Sequence, residues 1–146
     1  MFDRILLTLD GSELAREAVP RARALAEQFG AHVVVFEALP KPEGPSAFSM
    51  EGARIADERD AHAHLDAVAQ ALQADGISAE VVTARGGAGE CIVEQAESLR
   101  CDAIVMATHG RSGFGRALLG SVADYVVRHS RGAAIVLVRP TGGAGN

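Results

Sequence analysis

The sequence predicts an α/β fold with a five-stranded parallel sheet and helices on both faces. Short apolar runs rich in β-branched residues alternate with segments of helical periodicity along the whole chain. The runs are continuously apolar, as expected of strands that are covered on both faces. With 146 residues and 48% apolar residues, the chain is long enough for one domain with a substantial core.

The first strand and helix are marked by an apolar run and by capping residues. Residues 3–9 read as a buried strand that is followed by D-G-S. Ser12 is a favourable N-cap, and Gly30 is a C-cap for a helix that continues to about residue 29. Pro20 lies inside this pattern, where it removes a hydrogen bond. Because the periodicity continues beyond it, we expect a kink and not a break.

A second strand is predicted at residues 32–38, since H-V-V-V-F-E-A is rich in β-branched residues. Residues 39–50 contain three prolines and a glycine, which predicts a loop. This loop is either a lid over a ligand site or a plain connector. A long Ala-rich helix is expected at residues 51–74, with its inward face formed by Ile55, Leu65, Val68 and Leu72.

The second half of the chain continues the alternation of strands and helices. We expect strands at residues 78–84, 102–107 and 133–138, and helices at residues 88–99 and 116–129. Residues 1–140 should therefore form a single domain. The tail T-G-G-A-G-N, residues 141–146, should be disordered.

Composition narrows the classes of function. A net charge of −5 argues against a general nucleic-acid binder, which needs a basic face. No apolar run approaches the roughly 20 residues of a membrane span, and M-F-D-R-I-L-L-T-L-D lacks the pattern of a signal peptide. We therefore expect a cytoplasmic location. Cys91 and Cys101 lack metal-ligand spacing and should be free thiols, and His62 and His64 do not share a helix face.

Ligands of open parallel sheets bind beyond the carboxyl ends of the strands. Asp10, Ala38 and residues 107–110 each follow a predicted strand, so three separate segments should converge on one edge. The third of these segments opens a glycine-rich stretch, A-T-H-G-R-S-G-F-G-R-A-L-L-G-S. Glycines let backbone N–H groups approach an anion, and a helix N-terminus adds partial positive charge. The stretch predicts a phosphate-bearing ligand, and a nucleotide fits best.

Two common nucleotide motifs are absent. The chain has no G-x-x-x-x-G-K-[ST] and no G-x-G-x-x-G after the first strand. Instead, Ala107, Gly110, Gly120 and Ser121 stand in the register of G-x2-G-x9-G-[ST], followed by V-A-D-Y-V-V-R-H-S. On these residues, and on Asp10 at the end of the first strand, the chain resembles the universal stress protein family over essentially its whole length.

The resemblance implies a Rossmann-like sheet of the adenine nucleotide alpha-hydrolase type. It also implies homodimers through the last strand, which starts at Ala133 and ends at Val138, and ATP binding in one branch of the family. The sequence departs from the motif at Ala107, where that branch has glycine. The methyl group either crowds the ribose or phosphate, or points away and leaves the site unchanged.

Each motif residue has a ligand role and a structural alternative. Gly110 permits a tight turn near phosphate, or a turn with no ligand. Gly120, which the pattern places inside the last helix, either admits a phosphate or permits close helix packing. Ser121 can donate its hydroxyl and its N–H. Arg111 and Arg116 either pair with a terminal phosphate or remain solvated.

At the nucleoside end, Asp10 is suited to hydrogen bonding, or it caps the first helix with Ser12. Ala38 can offer backbone groups to adenine. His109 has no nucleophile or carboxylate nearby in sequence, which favours a role in ordering the loop. The predicted nucleotide-binding residues are Thr8, Leu9, Asp10, Ala38, Ala107, Gly110, Arg111, Gly113, Gly120, Ser121 and Val122.

Three functions are compatible with this pattern. The first is a nucleotide-binding stress or regulatory protein that takes ATP with Mg²⁺ and hydrolyses it slowly at most, since no catalytic residue or protein metal ligand is evident. The second is a dimeric interaction module that binds no nucleotide. The third, an ATP-pyrophosphate-cleaving transferase, requires S-G-G-x-D-S after the first strand, and D-G-S-E-L-A differs from it.

Overall fold

A computed structural model describes residues 1–41, 47–109 and 119–141, without the side chains of residues 47–51, 53 and 54. Residues 42–46 of the proposed lid, residues 142–146 of the tail and the loop residues Gly110, Arg111, Gly113 and Arg116 lie outside these ranges. The elements in chain order are β1 (Arg4–Thr8), α1 (Glu13–Arg16), α2 (Val19–Phe29), β2 (His32–Leu39), α3 (Ala47–Ala74), β3 (Ala79–Arg85), α4 (Ala88–Ser98), β4 (Ala103–Ala107), α5 (Ser121–His129) and β5 (Ala134–Val138).

The strands form one sheet in the order β3-β2-β1-β4-β5, and every neighbouring pair is parallel. The predicted five-stranded parallel sheet is therefore confirmed. The chain order reverses between β1 and β4, which makes this the switch point of the sheet. None of the described helices is both long and apolar enough to cross a bilayer.

Alternating side chains of the central strands serve two cores. Ile5 and Leu7 point to a core that α2 and α3 cover with residues such as Ala22 and Leu65. Leu6 points to the opposite face, where α4 and α5 complete a second core. Period-two alternation on a sheet buried on both faces explains why β1 reads as one unbroken apolar run.

The first helical segment is interrupted, so the predicted kink at Pro20 is wrong. α1 ends at Arg16 and α2 begins at Val19, with the proline in the first turn of α2. Proline lacks an N–H, and its ring collides with the carbonyl four residues earlier, so the chain starts a new helix there. The predicted caps are confirmed: Ser12 Oγ accepts the N–H of Ala15, and Gly30 is left-handed with φ 66°.

Two further boundaries differ from the predictions. β2 continues to Leu39 and α3 already begins at Ala47, so the connection is shorter than residues 39–50. Ile55 is 43% exposed and not inward, whereas the other three predicted inward residues of α3 are buried. The helical period in this Ala-rich segment identified the buried face of its second half but did not show where α3 stops contacting the sheet.

The last helix begins at Ser121 and not at residue 116, so Gly120 lies at the N-cap and not inside a helix. Its backbone is extended (φ −68°, ψ 162°) and not helical. A glycine in a helix interior is unfavourable by about 1 kcal/mol relative to alanine, and this start position removes that penalty. Residues 116–118 lie outside the part of the chain that the structure describes.

Candidate functional site

A cavity of about 550 Å³ opens at the carboxyl ends of the central strands. The ends of β1, β2 and β4 form its floor, and α3 and the start of α5 form its walls. It lies at the switch point, where ligands of open α/β sheets bind. Among the residues singled out from the sequence, it is lined by Thr8, Leu9, Asp10, Ala38, Ala107, Gly120, Ser121 and Val122.

The N-terminus of α5 faces this cavity, and no side chain among the described residues caps it. Gly120 is the N-cap residue and has no side-chain oxygen to act as an acceptor, and Ser121, Val122 and Ala123 of the first turn all line the cavity. The first hydrogen bond of the helix runs from the N–H of Asp124 to the carbonyl of Gly120. First-turn N–H groups have no partner within a helix and carry partial positive charge, so this wall favours an anion.

Gly120 packs directly against the end of β4. Its N–H donates to the carbonyl oxygen of Thr108 at 2.7 Å. A Cβ at this position would lie 2.7 Å from that oxygen and 3.5 Å from the Cα of His109. Because the obstacle is backbone, it cannot rotate away. The packing alternative therefore accounts for this glycine without a ligand.

Thr108 connects three parts of the site. Its N–H donates to the carbonyl of Val138 at 2.9 Å, and its own carbonyl holds Gly120. Its hydroxyl lies 3.1 Å from Nδ1 of His109, which also lines the cavity. Nε2 of this imidazole is buried and has no hydrogen-bond partner among the described residues.

Asp10 shapes the turn between β1 and α1. Its Oδ1 accepts the N–H of Ser12 at 2.9 Å, and Ser12 in turn caps α1. The structural alternative considered for Asp10 is therefore present. Because Asp10 also lines the cavity, organisation of this turn and contact with a ligand are compatible.

Ala107, which replaces the first glycine of the motif, is an ordinary strand residue. It pairs with Val138 in the parallel ladder and is 8% exposed. Among the described non-glycine residues only Arg100 has a positive φ. The backbone at Ala107 thus does not require glycine, although its methyl group occupies space in the cavity wall.

The sequence analysis missed a contact between a carboxylate and an imidazole in the cavity wall. Oε1 of Glu37, at the end of β2, lies 2.7 Å from Nε2 of His64 on α3. Only 6% of the Glu37 side chain is exposed, against 32% for His64. The signal available was a single charge inside the apolar run V-V-V-F-E-A-L. Its partner could not be inferred, because α3 reaches β2 only in the folded chain.

Acidic side chains line the same wall. Asp57 and Asp60 lie on the face of α3 that carries His64, and both border the cavity. Arg85, the last residue of β3, donates to the carbonyl of Pro40 at 2.8 Å and to Glu58 at 3.0 and 3.2 Å, which links the residue after β2 to α3. In the part of the chain that the structure describes, no three His, Cys, Asp or Glu side chains form a metal site.

Both cysteines lie in the second core, on the face of the sheet that α4 and α5 cover. Both are free and buried, in agreement with the prediction of two free thiols. Burial raises the pKa of Cys101 to about 11, with smaller opposing effects of Arg4 and Asp102. Burial also raises the pKa of Cys91, and neighbouring carboxylates add to this shift.

Comparison with known proteins places this architecture in a family. The family model described as the universal stress protein family matches residues 1–138. A universal stress protein of Thermus aquaticus is 32% identical over 143 residues, covering 95% of this chain and all of the relative. A second universal stress protein, from Synechocystis, is 27% identical over 150 residues, which cover 93% of this chain and 97% of the relative.

Solved structures share the fold at lower identity. Universal stress protein UspA from Lactobacillus plantarum has a TM-score of 0.82 at 21% identity, covering 94% and 98% of the two chains. A universal stress protein in complex with cAMP has a TM-score of 0.65 at 24% sequence identity, and the match covers 96% of this chain and 98% of that one. The universal stress protein from Archaeoglobus fulgidus in complex with dAMP has a TM-score of 0.64 at 18% sequence identity, and the match covers 95% of this chain and 98% of that one. The matched sequences and the shared sheet together show that this chain belongs to the universal stress protein family.

Proposed function

We propose that the protein binds an adenine nucleotide, ATP with Mg²⁺, in the cavity at the carboxyl ends of the strands. It acts as a cytoplasmic nucleotide-binding protein of the stress response, with slow hydrolysis at most. One observation carries the proposal: a cavity of about 550 Å³ at the switch point faces the uncapped N-terminus of α5. Small-molecule sites commonly have volumes of roughly 300–1,000 Å³, so a nucleotide fits.

The distribution of charge around the cavity favours one orientation of the bound nucleotide. The α5 wall carries the positive end of a helix, whereas Asp10, Asp57 and Asp60 lie among the other lining residues. Carboxylates repel phosphate but accept hydrogen bonds from hydroxyl and amino groups. In our proposal the phosphates lie at Ser121 and Val122, and the nucleoside lies toward Asp10 and Ala38.

The relatives support an adenine base. Two structures of the same fold were solved in complex with cAMP and with dAMP, and both ligands pair adenine with a phosphate. In this chain the hydroxyl and N–H of Ser121 would donate to phosphate, and the backbone at Ala38 would contact the base. Mg²⁺ would enter with the phosphates and lower their net charge.

The proposal extends to assembly and to domain limits. Among the described strands, β5 pairs only with β4 and lies at the edge of the sheet, and its residues from Ile135 to Val138 are partly buried. An apolar edge of this kind favours pairing with a second chain. We therefore propose a homodimer through this strand and a single domain over residues 1–140. A monomer in sedimentation at micromolar concentration would contradict the dimer.

The test of nucleotide binding uses Ser121→Asp. Ser121 is exposed and lies in the first helical turn, where a carboxylate stabilises a helix. The variant should therefore keep its thermal stability while it repels phosphate. We expect calorimetry with Mg-ATP to show micromolar binding by nucleotide-stripped wild type and a loss of at least about tenfold in the variant.

Gln28→Glu is the matched control, because it changes the net charge by the same amount at an exposed position of α2 that does not line the cavity. It should bind as wild type does. Wild type that is folded but takes up no nucleotide would reject the proposal and favour the dimeric interaction module. Equal losses in the two variants would move the phosphate site away from α5.

A further inference from the structure

A serine, a histidine and a glutamate lie together at the amino ends of β2 and β3, at the opposite end of the sheet from the cavity. His32 begins β2 and lies beside Ser78, and Glu80 follows two residues later on the same face of the sheet. We infer that Ser78 is an activated nucleophile, that His32 is its general base, and that Glu80 positions the imidazole. This inference is independent of the proposed nucleotide site.

The distances within this group connect all three side chains through the imidazole. Nδ1 of His32 lies 2.6 Å from Oγ of Ser78, and Nε2 of the same ring lies 3.1 Å from Oε1 of Glu80. A nucleophile that contacts a base, with the base oriented by a third group, is the arrangement of serine hydrolases. In the serine proteases Nε2 faces the serine and Nδ1 faces the acid, so here the two nitrogens exchange places and keep their roles.

The carboxylate of Glu80 determines which ring nitrogen carries the proton. An ionised carboxylate only accepts hydrogen bonds, so its contact with the neutral imidazole requires a proton on Nε2. Nδ1 of His32 is then an acceptor, and the hydroxyl of Ser78 donates to it. The proton that Ser78 must lose on attack is therefore already directed at a base.

The sheet holds this group in place and adds a positive charge to it. The N–H of Val33 donates to the carbonyl of Ser78 at 2.9 Å, which fixes the serine against β2. Arg4 of β1 pairs with His32 in the parallel ladder, and its guanidinium lies 3.8 Å from Oε1 of Glu80. A neighbouring cation favours the negative charge that develops on a carbonyl oxygen under attack.

The exposure of the serine indicates the class of substrate. Ser78 is exposed, and 25% of the His32 side chain is accessible. None of the three side chains lines the cavity at the carboxyl ends. A nucleophile on the open surface selects acyl donors by the reactivity of their leaving group and not by their shape. The substrates are therefore small activated esters, such as aryl acetates.

The reaction proceeds through an acyl-serine. Oγ of Ser78 forms a bond to the acyl carbon, its proton passes to Nδ1 of His32, and the bond from that carbon to the leaving oxygen breaks. The imidazolium then gives its proton to the leaving oxygen. Water attacks the acyl-serine with His32 again as the base, which releases a carboxylic acid and restores the hydroxyl.

The test measures acetylation of individual serines by para-nitrophenyl acetate at neutral pH. Peptide mass spectrometry after an acid quench locates the acetyl group, and release of nitrophenolate measures turnover. Ser98 is the internal control, because it is exposed and its hydroxyl lies 3.5 Å from the carbonyl of Gln95 instead of beside an imidazole. A positioned general base contributes at least roughly a hundredfold, and water competes at an exposed site, so Ser78 should react about tenfold to hundredfold faster than Ser98.

Variants of the three residues separate their roles. Ser78→Ala should abolish nitrophenolate release above the background rate, and His32→Gln should remove the advantage of Ser78 over Ser98. Glu80→Gln should slow acetylation by about twofold to fivefold, as expected for an exposed charged contact. It should have no further effect in the His32→Gln background, because it acts only through the imidazole. Thermal unfolding verifies that each variant is folded.

Two results would overturn the inference. Equal acetylation of Ser78 and Ser98 in wild type would show that the contacts with His32 and Glu80 do not activate the hydroxyl. Nitrophenolate release that survives in Ser78→Ala and disappears in His32→Gln would identify the imidazole itself as the nucleophile.

Discussion

Two glutamate–histidine pairs stand at opposite ends of the sheet. Glu37 and His64 meet at 2.7 Å beside the cavity, at the carboxyl ends of the strands. Glu80 and His32 meet at 3.1 Å at the amino ends, where His32 also contacts Ser78. The difference lies in burial, since the glutamate side chain is 6% exposed in the first pair and 47% exposed in the second.

Polar groups in general are more deeply buried at the carboxyl ends of the strands than at the amino ends. Among the described residues, the buried polar or charged ones are Thr8, Glu37 and Thr108, and all three line the cavity. At the amino end, the partly exposed Asp102 accepts the N–H groups of Asp3 and Arg4. Burial of polar groups is unfavourable for folding and is concentrated at functional sites, which agrees with the ligand site that we propose at the carboxyl end.

The largest effect is expected from removing each glutamate in turn. Glu37→Ala leaves His64 without its buried partner and should lower the free energy of unfolding by about 1.5–3 kcal/mol. Glu80→Ala removes an exposed pair and should lower it by less than about 1 kcal/mol. Urea unfolding at neutral pH measures both, and equal effects would remove the distinction between the two ends.

A smaller effect is expected from adding a methyl group at two glycines. Gly120→Ala places a Cβ 2.7 Å from the Thr108 carbonyl and should destabilise the protein by about 1–3 kcal/mol. Gly52→Ala meets nothing within 4 Å and lies inside α3, so it should stabilise by about 0.5–1 kcal/mol. Thermal unfolding compares the two, and a neutral Gly120→Ala would show that the contact at the cavity end relaxes easily.

The smallest effect concerns pH and a thiol near the amino end. Because burial raises the pKa of Cys101 from 9.0 to about 11, folding favours its neutral form. This contribution to stability is complete below pH 9 and is lost as the pH rises toward 11. At pH 8 the native thiol should react with a disulfide reagent at least roughly a hundredfold more slowly than in urea.

Cys101→Ala provides the control for this prediction. Its free energy of unfolding should fall less between pH 9 and pH 11 than that of wild type. The comparison cancels the titration of lysine, tyrosine and arginine, which both proteins share. Identical slopes of stability against pH would contradict the raised pKa.

Particular residues show how far the sequence could be interpreted. Ser12 and Gly30 were assigned as caps correctly, because capping depends on local backbone and side-chain chemistry. Pro20 was assigned to a kink, although a new helix starts there. Periodicity persists on both sides of a break when both helices pack on one sheet, so the pattern does not distinguish the two cases.

In the candidate site, too, some residues could be predicted from the sequence and others could not. Asp10, Ala38 and Ala107 were placed at one sheet edge from strand order alone, and the structure brings them to one cavity. Glu37 and His64 were missed, because their contact joins segments 27 residues apart that meet only when α3 packs on β2. The start of α5 was also misplaced, since the contact of Gly120 with Thr108 that defines it is tertiary.

The sequence by itself determined the order of strands and helices, the parallel sheet and the edge at which the candidate cavity lies. Each of these follows from local periodicity and from the restricted connections of a parallel sheet. Only the tertiary structure decided which polar groups are buried, that Glu37 lies against His64, and that the carbonyl of Thr108 accepts the N–H of Gly120 at the start of α5. Such contacts depend on distances between segments that are remote along the chain, and a one-dimensional pattern does not contain those distances.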